Sequence, residues 1–247
     1  MRHLDFTIDF ETVGLTANAA PMMVAVVPWF RDAKVDPLMY NVSCVIDEEG
    51  TRTMEQNINW VEPYIGYVDL RTCVVDGFDF DPKTVQWWAE RSESAKQAVT
   101  KGQVKPVQDV LVGALEYIRD MVQSLRLESI CLWCQGMDVD IAILRNICYK
   151  YDIELEDDVP HTQFRDSRTI ILEGAMVQAM QMHKKATEKY PELAGGSPRI
   201  LREPDMAYKV FDPLPSCYAA GSEAHDALYD AMRSSWYTWQ ALKSLRP

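Results

Sequence analysis

The sequence predicts one α/β domain spanning residues 1–247, in which a mixed β-sheet is covered by helices on both faces. A meander of strand-like segments comes first, units of a strand followed by a helix come next, and a long helical pattern closes the chain. The chain has 247 residues and is 47% hydrophobic, which is ample for a packed core. No Pro-, Gly- or Ser-rich linker divides it, so a single domain is favoured.

Three strands are expected before residue 50, arranged as a meander. Residues 4–14 alternate apolar and polar side chains, which is typical of a strand, and residues 21–30 are continuously apolar. Residues 38–47 follow as a third strand that ends in a turn-prone Glu-Glu-Gly sequence. Residues 48–76 mix β-forming residues with Pro63 and a glycine, and we expect an irregular insertion there.

Helices are expected where apolar residues recur every three or four positions, or where a capping residue precedes such a run. These helices are residues 82–91 after the cap Asp81, 106–125, a helix opening at Asp138, a helix capped by Asp166, and 224–243. Residues 129–134 form an apolar run that predicts a buried strand. Residues 184–215 are rich in Pro, Gly and charge, which favours a second irregular insertion.

The net charge and the hydropathy of the chain argue against some classes of protein. The net charge of −12 argues against a broad basic groove that binds nucleic acid by phosphate neutralisation alone. It leaves room for a nucleic-acid enzyme with a small contact area, because a bound metal would itself attract phosphate. No apolar run reaches the roughly 18 residues of a membrane span, and Asp5 lies where a signal peptide needs apolar residues. A cytoplasmic protein without membrane contact is therefore expected.

The six cysteines are scattered and lack the density of a disulfide scaffold. Cys131 and Cys134 form a C-x-x-C motif, but a zinc site usually needs a second pair, and the sequence has none. A thioredoxin-like redox role is the alternative. Packed thiols on a buried strand are the favoured interpretation.

The first strand carries the pattern around which the chain is organised. Asp9 and Glu11 are two residues apart, so on a strand both carboxylates face the same side. Two such carboxylates repel each other unless one holds a proton or a divalent cation lies between them. A solvated strand end is the simpler interpretation of an isolated Asp-x-Glu.

Two further motifs favour a cation site over a solvated strand end. An aspartate follows the strand at 129–134, and His225 precedes Asp230 by five residues in H-x-A-x-x-D. In this order, D-x-E-T, G-x-x-x-D and H-x-A-x-x-D, the chain resembles the DEDDh exonucleases of the RNase H-like superfamily. The resemblance extends to residues 84–88 and 164–169, which look like the subgroup of exonuclease A of T-even phages and related bacterial exoribonucleases. It covers most of the chain outside the two insertions.

The resemblance implies an RNase H-like fold, with a mixed sheet of the five-stranded type, and two-metal phosphodiester hydrolysis. Asp9, Glu11, Asp140 and Asp230 would hold two Mg²⁺ or Mn²⁺ ions, which prefer oxygen ligands. His225 would take the proton from the attacking water. The resemblance further implies that Thr12, Val13 and Leu15 contact the 3′-terminal nucleotide. For Leu15, simple packing of a turn is an equal alternative.

Two further assignments concern residues near these motifs. Asp138 and Asp140 could both approach the metals. The spacing in the resembled family favours Asp140, and Asp138, at the expected helix start, is assigned to capping. The adjacent Trp87 and Trp88 are expected to pack in the core, with stacking on a nucleic-acid base as the minority alternative.

The sequence thus predicts a 3′→5′ exonuclease that releases nucleoside 5′-monophosphates. DNA is weakly preferred as the substrate because of the phage-like features, and the same chemistry on RNA is the first alternative. A nucleic-acid-binding or interaction module without catalysis is the alternative of another class. A homodimer is compatible with the sequence, and residence would be in the host cytoplasm for a phage-encoded chain.

Overall fold

The computed structural model describes residues 3–38, 43–46, 52–55, 62–191, 204–219 and 225–246. Eight strands lie in this part of the chain: β1 (His3–Thr12), β2 (Pro21–Trp29), β3 (Ser43–Ile46), β4 (Arg52–Glu55), β5 (Tyr64–Val68), β6 (Val104–Lys105), β7 (Ser129–Cys134) and β8 (Phe164–Asp166). The α-helices described are α1 (Leu70–Val75), α2 (Pro82–Ala89), α3 (Glu93–Ala98), α4 (Val107–Ser124), α5 (Ala142–Lys150), α6 (Leu155–Asp158), α7 (Ser167–Lys189), α8 (Ser216–Ala219) and α9 (Ala227–Leu245). None of these helices is long and apolar enough to cross a membrane.

The main sheet has six strands in the order β6-β5-β2-β1-β7-β8. Strand β2 runs antiparallel to both β1 and β5, whereas β7 is parallel to β1 and β8 is parallel to β7. The sheet is therefore mixed, as predicted, but it has one strand more than the expected five because the two-residue β6 joins β5 at the edge.

The predicted meander is wrong in its third strand. Ser43–Ile46 pairs with Arg52–Glu55 in a separate two-stranded sheet, and the strand beside β2 is Tyr64–Val68. This strand was missed because Pro63 and Gly66 weaken its local signal. Gly66 is needed there because a Cβ atom would lie 2.5 Å from Cγ1 of Val110 in α4, so helix packing determines the strand.

Both expected insertions are more regular than predicted. The segment 48–76 contains β4, β5 and α1, and the segment 184–215 begins with the last turn of α7 and includes a 3₁₀ helix at Pro204–Val210. Residues 47–51, 56–61 and 192–203 lie outside the described part. The predicted helices at 82–91 and 106–125 and the strand at 129–134 are confirmed within two residues.

The two faces of the sheet are packed differently at strand β1. Phe10 of β1 and Val24 of β2 line one face against Val110 and Leu111 of α4. The polar residues of β1 occupy the other face, where Ser235 of α9 donates a hydrogen bond of 2.8 Å to Thr7. Helices thus cover both faces, and α9 lies over the polar side of β1.

At the start of β1, Asp5 is completely buried and fully paired. Arg31 makes two contacts with its carboxylate at 2.7 and 2.5 Å, and the indole N–H of Trp133 donates to it at 2.6 Å. His3 lies 3.3 Å away. Burial alone would raise the pKa of Asp5, but hydrogen bonds from His3 and Arg31 hold it below its usual value. This ion pair joins β1, β7 and the chain after β2.

Candidate functional site

The centre of the candidate site is the carboxyl end of β1. Asp9 and Glu11 lie on the polar face of this strand and are both buried, as their i, i+2 spacing predicts. The pairing with β2 shifts register between Glu11 and Thr12, so the strand ends in a bulge directly after the second carboxylate. The bulge turns the chain away and leaves both side chains under α9.

The turn after β1 is fixed by hydrogen bonds. The Thr12 hydroxyl donates to the Gly14 carbonyl at 2.5 Å, and the Trp88 indole N–H donates to the Thr12 carbonyl at 2.9 Å. Val13 has a buried side chain, and its N–H and C=O are bonded to Ala20 and Asp81. Leu15 differs from both, because 73% of it is exposed, which contradicts the alternative that it packs the turn.

Asp140 reaches the same site from β7. A π-helical turn at Met137–Ile141 connects this strand to α5, and the Gly136 carbonyl accepts from the N–H groups of Val139 and Asp140. Asp140 is only 6% exposed, and backbone N–H groups of Phe10 and Gln135 bond its carboxylate. These bonds hold it against the end of β1.

The assignment of Asp138 to helix capping is wrong. Its side chain makes no capping hydrogen bond and is exposed at the rim. The physical reason is the wider π-helical turn, in which the carbonyl of Gly136, the residue before the turn, accepts the N–H groups of Val139 and Asp140. The same turn directs Asp140 inward and Asp138 outward.

Asp230 and His225 come from the start of α9. The helix begins at Ala227, three residues later than predicted, with Asp226 as its cap. Asp226 accepts from the N–H of Leu228 at 3.1 Å and pairs with Lys101 at 3.4 Å. His225 therefore precedes the helix, in a left-handed conformation with φ of 73°. Its backbone N–H donates to the Asp230 carboxylate at 2.9 Å.

The structure brings the four acids and the histidine together. One ligand atom each of Glu11, His225 and Asp230 lies within 4.8 Å of the other two. Burial raises the pKa of Asp9 well above its usual value, and the charges of Asp140, Glu11 and Asp230 raise it further. Five residues predicted from separate motifs thus lie in one cluster.

The pKa values of the other three acids are raised as well. Burial, followed by repulsion from Asp230 and other acids, raises the pKa of Glu11 from 4.5 to about 8. Burial raises the pKa of Asp140 to about 7, although its backbone hydrogen bonds oppose this rise. The pKa of Asp230 is also raised by burial, against the opposing charge of Arg233. Without a cation, the site cannot hold all four carboxylates ionised at neutral pH.

This donor set fits Mg²⁺ or Mn²⁺. Carboxylate oxygens are the ligands that hard cations prefer, and a bound cation would remove the repulsion that raises these pKa values. Oδ1 of Asp230 is buried and makes no hydrogen bond with the described residues, and the Arg233 guanidinium lies 3.4 Å from it. Burial raises the pKa of the Cys134 thiol to about 12, and Cys131 is buried as well. Both observations favour the interpretation of packed thiols on a buried strand.

The sequence predicts no role for Arg233 or Arg168, and it predicts core packing for Trp87 and Trp88 without a link to His225. Arg233 lies 3.4 Å from Asp230 at the i, i+3 spacing, a pairing that the sequence could have indicated. A Cβ atom on Gly136 would lie 3.1 Å from the Arg168 guanidinium, so this cation reaches the site across the chain. Trp87 and Trp88 both contact His225. Only the tertiary structure identifies Arg168 and the two tryptophans as neighbours of the site.

Comparison with protein families identifies a domain that spans most of the chain. A family model described as the 3′-5′ exoribonuclease Rv2179c-like domain matches residues 4–194. The matched region contains Asp9, Glu11 and Asp140, whereas His225 and Asp230 lie beyond it. No curated protein matches the sequence. The geometry of α9 therefore adds the last two members of the cluster independently of the family match.

Proposed function

The chain belongs to the family of the Rv2179c-like 3′-5′ exoribonuclease domain, and from this premise we propose that it is a metal-dependent 3′→5′ exoribonuclease with a DEDDh active site. The observation that carries the proposal is the convergence of Asp9, Glu11, Asp140 and Asp230 with His225 at the end of the central strand. A mixed sheet with helices on both faces is compatible with the RNase H-like fold that this class of enzyme requires.

The four carboxylates would hold two Mg²⁺ or Mn²⁺ ions. When bound, these ions supply positive charge that stabilises the attacking and leaving oxygens of an in-line displacement. Asp9 and Glu11 lie on the same side of β1, which fixes their spacing. Asp140 and Asp230 approach from two other elements, the π-helical turn and α9. Backbone N–H groups of Phe10 and Gln135 orient the Asp140 carboxylate.

His225 is the general base of the proposed reaction. Its imidazole accepts a proton from water as the water oxygen attacks the phosphorus of the last phosphodiester bond. The bond from phosphorus to the 3′ oxygen breaks, that oxygen gains a proton, and a nucleoside 5′-monophosphate leaves. Histidine is the residue that most often acts as a general base in enzymes.

Leu15 and the surrounding cations account for substrate contacts in this proposal. The exposed Leu15 side chain projects from the turn next to the acids, where it can rest against the 3′-terminal base. Thr12 fixes that turn, and Val13 contributes to the core rather than to the substrate surface. Lys101, Arg168 and Arg233 provide positive charge around an otherwise acidic centre, which suits a phosphate backbone.

RNA takes the place of the DNA substrate that the phage-like features favoured, because the family description names an exoribonuclease. The phage subgroup, the homodimer and the cytoplasmic location stay predictions from sequence. The alternative of a binding module without catalysis is disfavoured, since a module with no chemistry has no need to keep four repelling buried carboxylates together.

The test is hydrolysis of 5′-labelled single- and double-stranded RNA and DNA of the same sequence, with Mg²⁺ or with EDTA. We expect stepwise shortening from the 3′ end, release of 5′-monophosphates, and faster cleavage of RNA than of DNA. Activity that survives exhaustive chelation would contradict the metal site. Rapid cleavage of circular single strands would contradict an exonuclease, and Asp9→Asn controls for contaminating nucleases.

A further inference from the structure

His225 is held by its backbone more firmly than by polar contacts of its ring. The residue has a positive φ, its N–H is bonded to Asp230, and the next residue, Asp226, caps α9 and pairs with Lys101. These contacts place the Cα atom but leave rotation about the side-chain bonds undetermined. The ring must therefore be oriented by what packs against it.

Trp87 is the closest aromatic neighbour of that ring. The two ring centroids are 4.6 Å apart with an interplanar angle of 86°, which is the edge-to-face arrangement that aromatic rings prefer. Trp88 also faces His225, but its centroid is 6.2 Å away. Trp87 is thus the side chain that limits the movement of the imidazole.

Trp87 is itself fixed on two sides. The guanidinium of Arg91 lies over its ring at 4.2 Å from the centroid, and the same side chain donates to the Trp87 carbonyl at 3.2 Å. On the other side, Trp88 packs edge-on against it at 5.2 Å, and Trp88 is anchored to Thr12. The chain of contacts runs from the end of β1 through α2 to His225.

We propose that Trp87 is a positioning residue that holds the His225 imidazole in the orientation needed to accept a proton, and that Arg91 and Trp88 keep Trp87 in place. The inference rests on the proposed function for its catalytic meaning. Loss of the tryptophan would let the imidazole rotate away from the site, so fewer enzyme–substrate complexes would have the base correctly aligned. Substrate binding through the acids and the exposed Leu15 would be unaffected.

The kinetic test compares Trp87→Ala with Trp87→Phe, and uses Val85→Ala on the exposed side of α2 as a matched control. We expect Trp87→Ala to lower kcat about three- to tenfold, the range of a lost aromatic pair, with KM unchanged. Trp87→Phe restores most of the rate because it keeps a ring against His225, and Val85→Ala retains the rate of the original protein. A raised KM with unchanged kcat would overturn the proposal and favour base stacking by Trp87.

A double-substitution cycle tests whether Trp87 acts through His225. In a His225→Ala background there is no imidazole to orient, so adding Trp87→Ala should change the residual kcat by less than about twofold. A full three- to tenfold loss in that background would overturn the proposal, because the tryptophan would then act independently. Mn²⁺ affinity, measured by calorimetry, should be equal in Trp87→Ala and the original protein.

A readout independent of turnover separates this inference from the proposed function. Diethylpyrocarbonate acylates exposed imidazoles, and peptide mass mapping distinguishes His225 from His161, the exposed internal control. In metal-free protein we expect His225 to react several-fold faster in Trp87→Ala, while His161 reacts at an unchanged rate. An unchanged rate at His225 overturns the positioning role. If the original protein hydrolyses no nucleic acid, but His225 is still acylated faster in Trp87→Ala than in the original protein, the nuclease proposal is refuted. The restraint of Trp87 on the His225 ring would then still hold.

Discussion

At the scale of single residues, substitutions of His225 and Asp9 are expected to affect catalysis and metal binding differently. His225 lies beside the acids as a proton acceptor, so His225→Ala should lower kcat by two to four orders of magnitude and leave Mn²⁺ affinity nearly unchanged. Asp9 lies among the other three acids, so Asp9→Asn should abolish Mn²⁺ binding. Titration calorimetry on both variants separates the roles, and equal loss of binding would make His225 a ligand.

The doublet of Asp138 and Asp140 gives a second expectation. Asp140 is buried against β1 and Asp138 is exposed at the rim. Asp140→Asn should therefore lower kcat at least about a hundredfold, the scale of several kcal/mol of metal-derived stabilisation, whereas Asp138→Asn should keep most activity. Turnover at saturating Mg²⁺ checks this, and an inactive Asp138→Asn beside an active Asp140→Asn would reverse the assignment.

The raised pKa of Glu11 predicts how pH affects stability without metal. Because its pKa is about 8 in the fold and 4.5 as the reference, the folded state binds an extra proton between these values. The contribution of this group to stability is complete below pH 4.5 and is lost as pH rises through about 8.

Glu11→Gln should remove the loss of stability that the ionisation of Glu11 causes at high pH. In EDTA at about pH 8, its Tm should exceed that of the original protein by about 2–4 °C for each kcal/mol of repulsion relieved, and the difference should vanish near pH 4.5. Mg²⁺ should stabilise the original protein at pH 8 and the variant much less. Melting curves with and without metal measure both effects, and parallel pH profiles for the two proteins would contradict the assignment.

At the scale of secondary structure elements, α7 and α9 pack as closely as their backbones allow. A Cβ atom on Gly174 would lie 2.6 Å from Cα and Cβ of Ala241 and 2.8 Å from its carbonyl oxygen. Gly174→Ala should thus destabilise the fold by about 1–3 kcal/mol through overpacking, although alanine favours helices.

Urea denaturation measures this change, with Glu173→Ala at the adjacent exposed position as the control. A Gly174→Ala variant as stable as the original protein would mean that α7 and α9 are not in backbone contact. Because α9 carries Asp230, any shift of the two helices should also reduce Mn²⁺ affinity, which links this packing to the site.

At the scale of the whole molecule, Asp5 and Arg31 form the buried polar connection at the end of the sheet opposite the candidate site. Arg31→Met would leave a fully buried carboxylate with only Trp133 and His3, and should cost about 3–5 kcal/mol. The double variant Asp5→Leu with Arg31→Met removes both charges and should recover most of that loss.

Denaturant unfolding at neutral and acid pH tests this pair. Since the folded-state pKa of Asp5 lies below 3.8, its contribution is present above that value and is lost as pH falls through the folded pKa. Arg31→Met should therefore be closest in stability to the original protein in strong acid. Equal destabilisation at every pH would mean that Arg31 acts through packing alone.

Much of the fold could be predicted because its signals are local. The caps Asp81 and Asp166, the periodicity of α4 and the apolar run of β7 depend on neighbouring residues in the chain, and each of these elements is confirmed. Strand β5 could not be predicted, since its glycine is favourable only with α4 packed against it.

The residues that could form the site are recognisable from the amino-acid sequence alone. The i, i+2 spacing of Asp9 and Glu11 and the H-x-A-x-x-D pattern are local features that contain four of the site residues, and the G-x-x-x-D motif of the resembled family adds Asp140. The fold brings these five residues together. The tertiary structure decided which aspartate of the doublet points inward, because a π-helical turn rather than a capped α-helix follows β7. It also decided what surrounds His225: Trp87 is 138 positions away in the chain, and only packing of α2 beside the start of α9 brings the rings into contact.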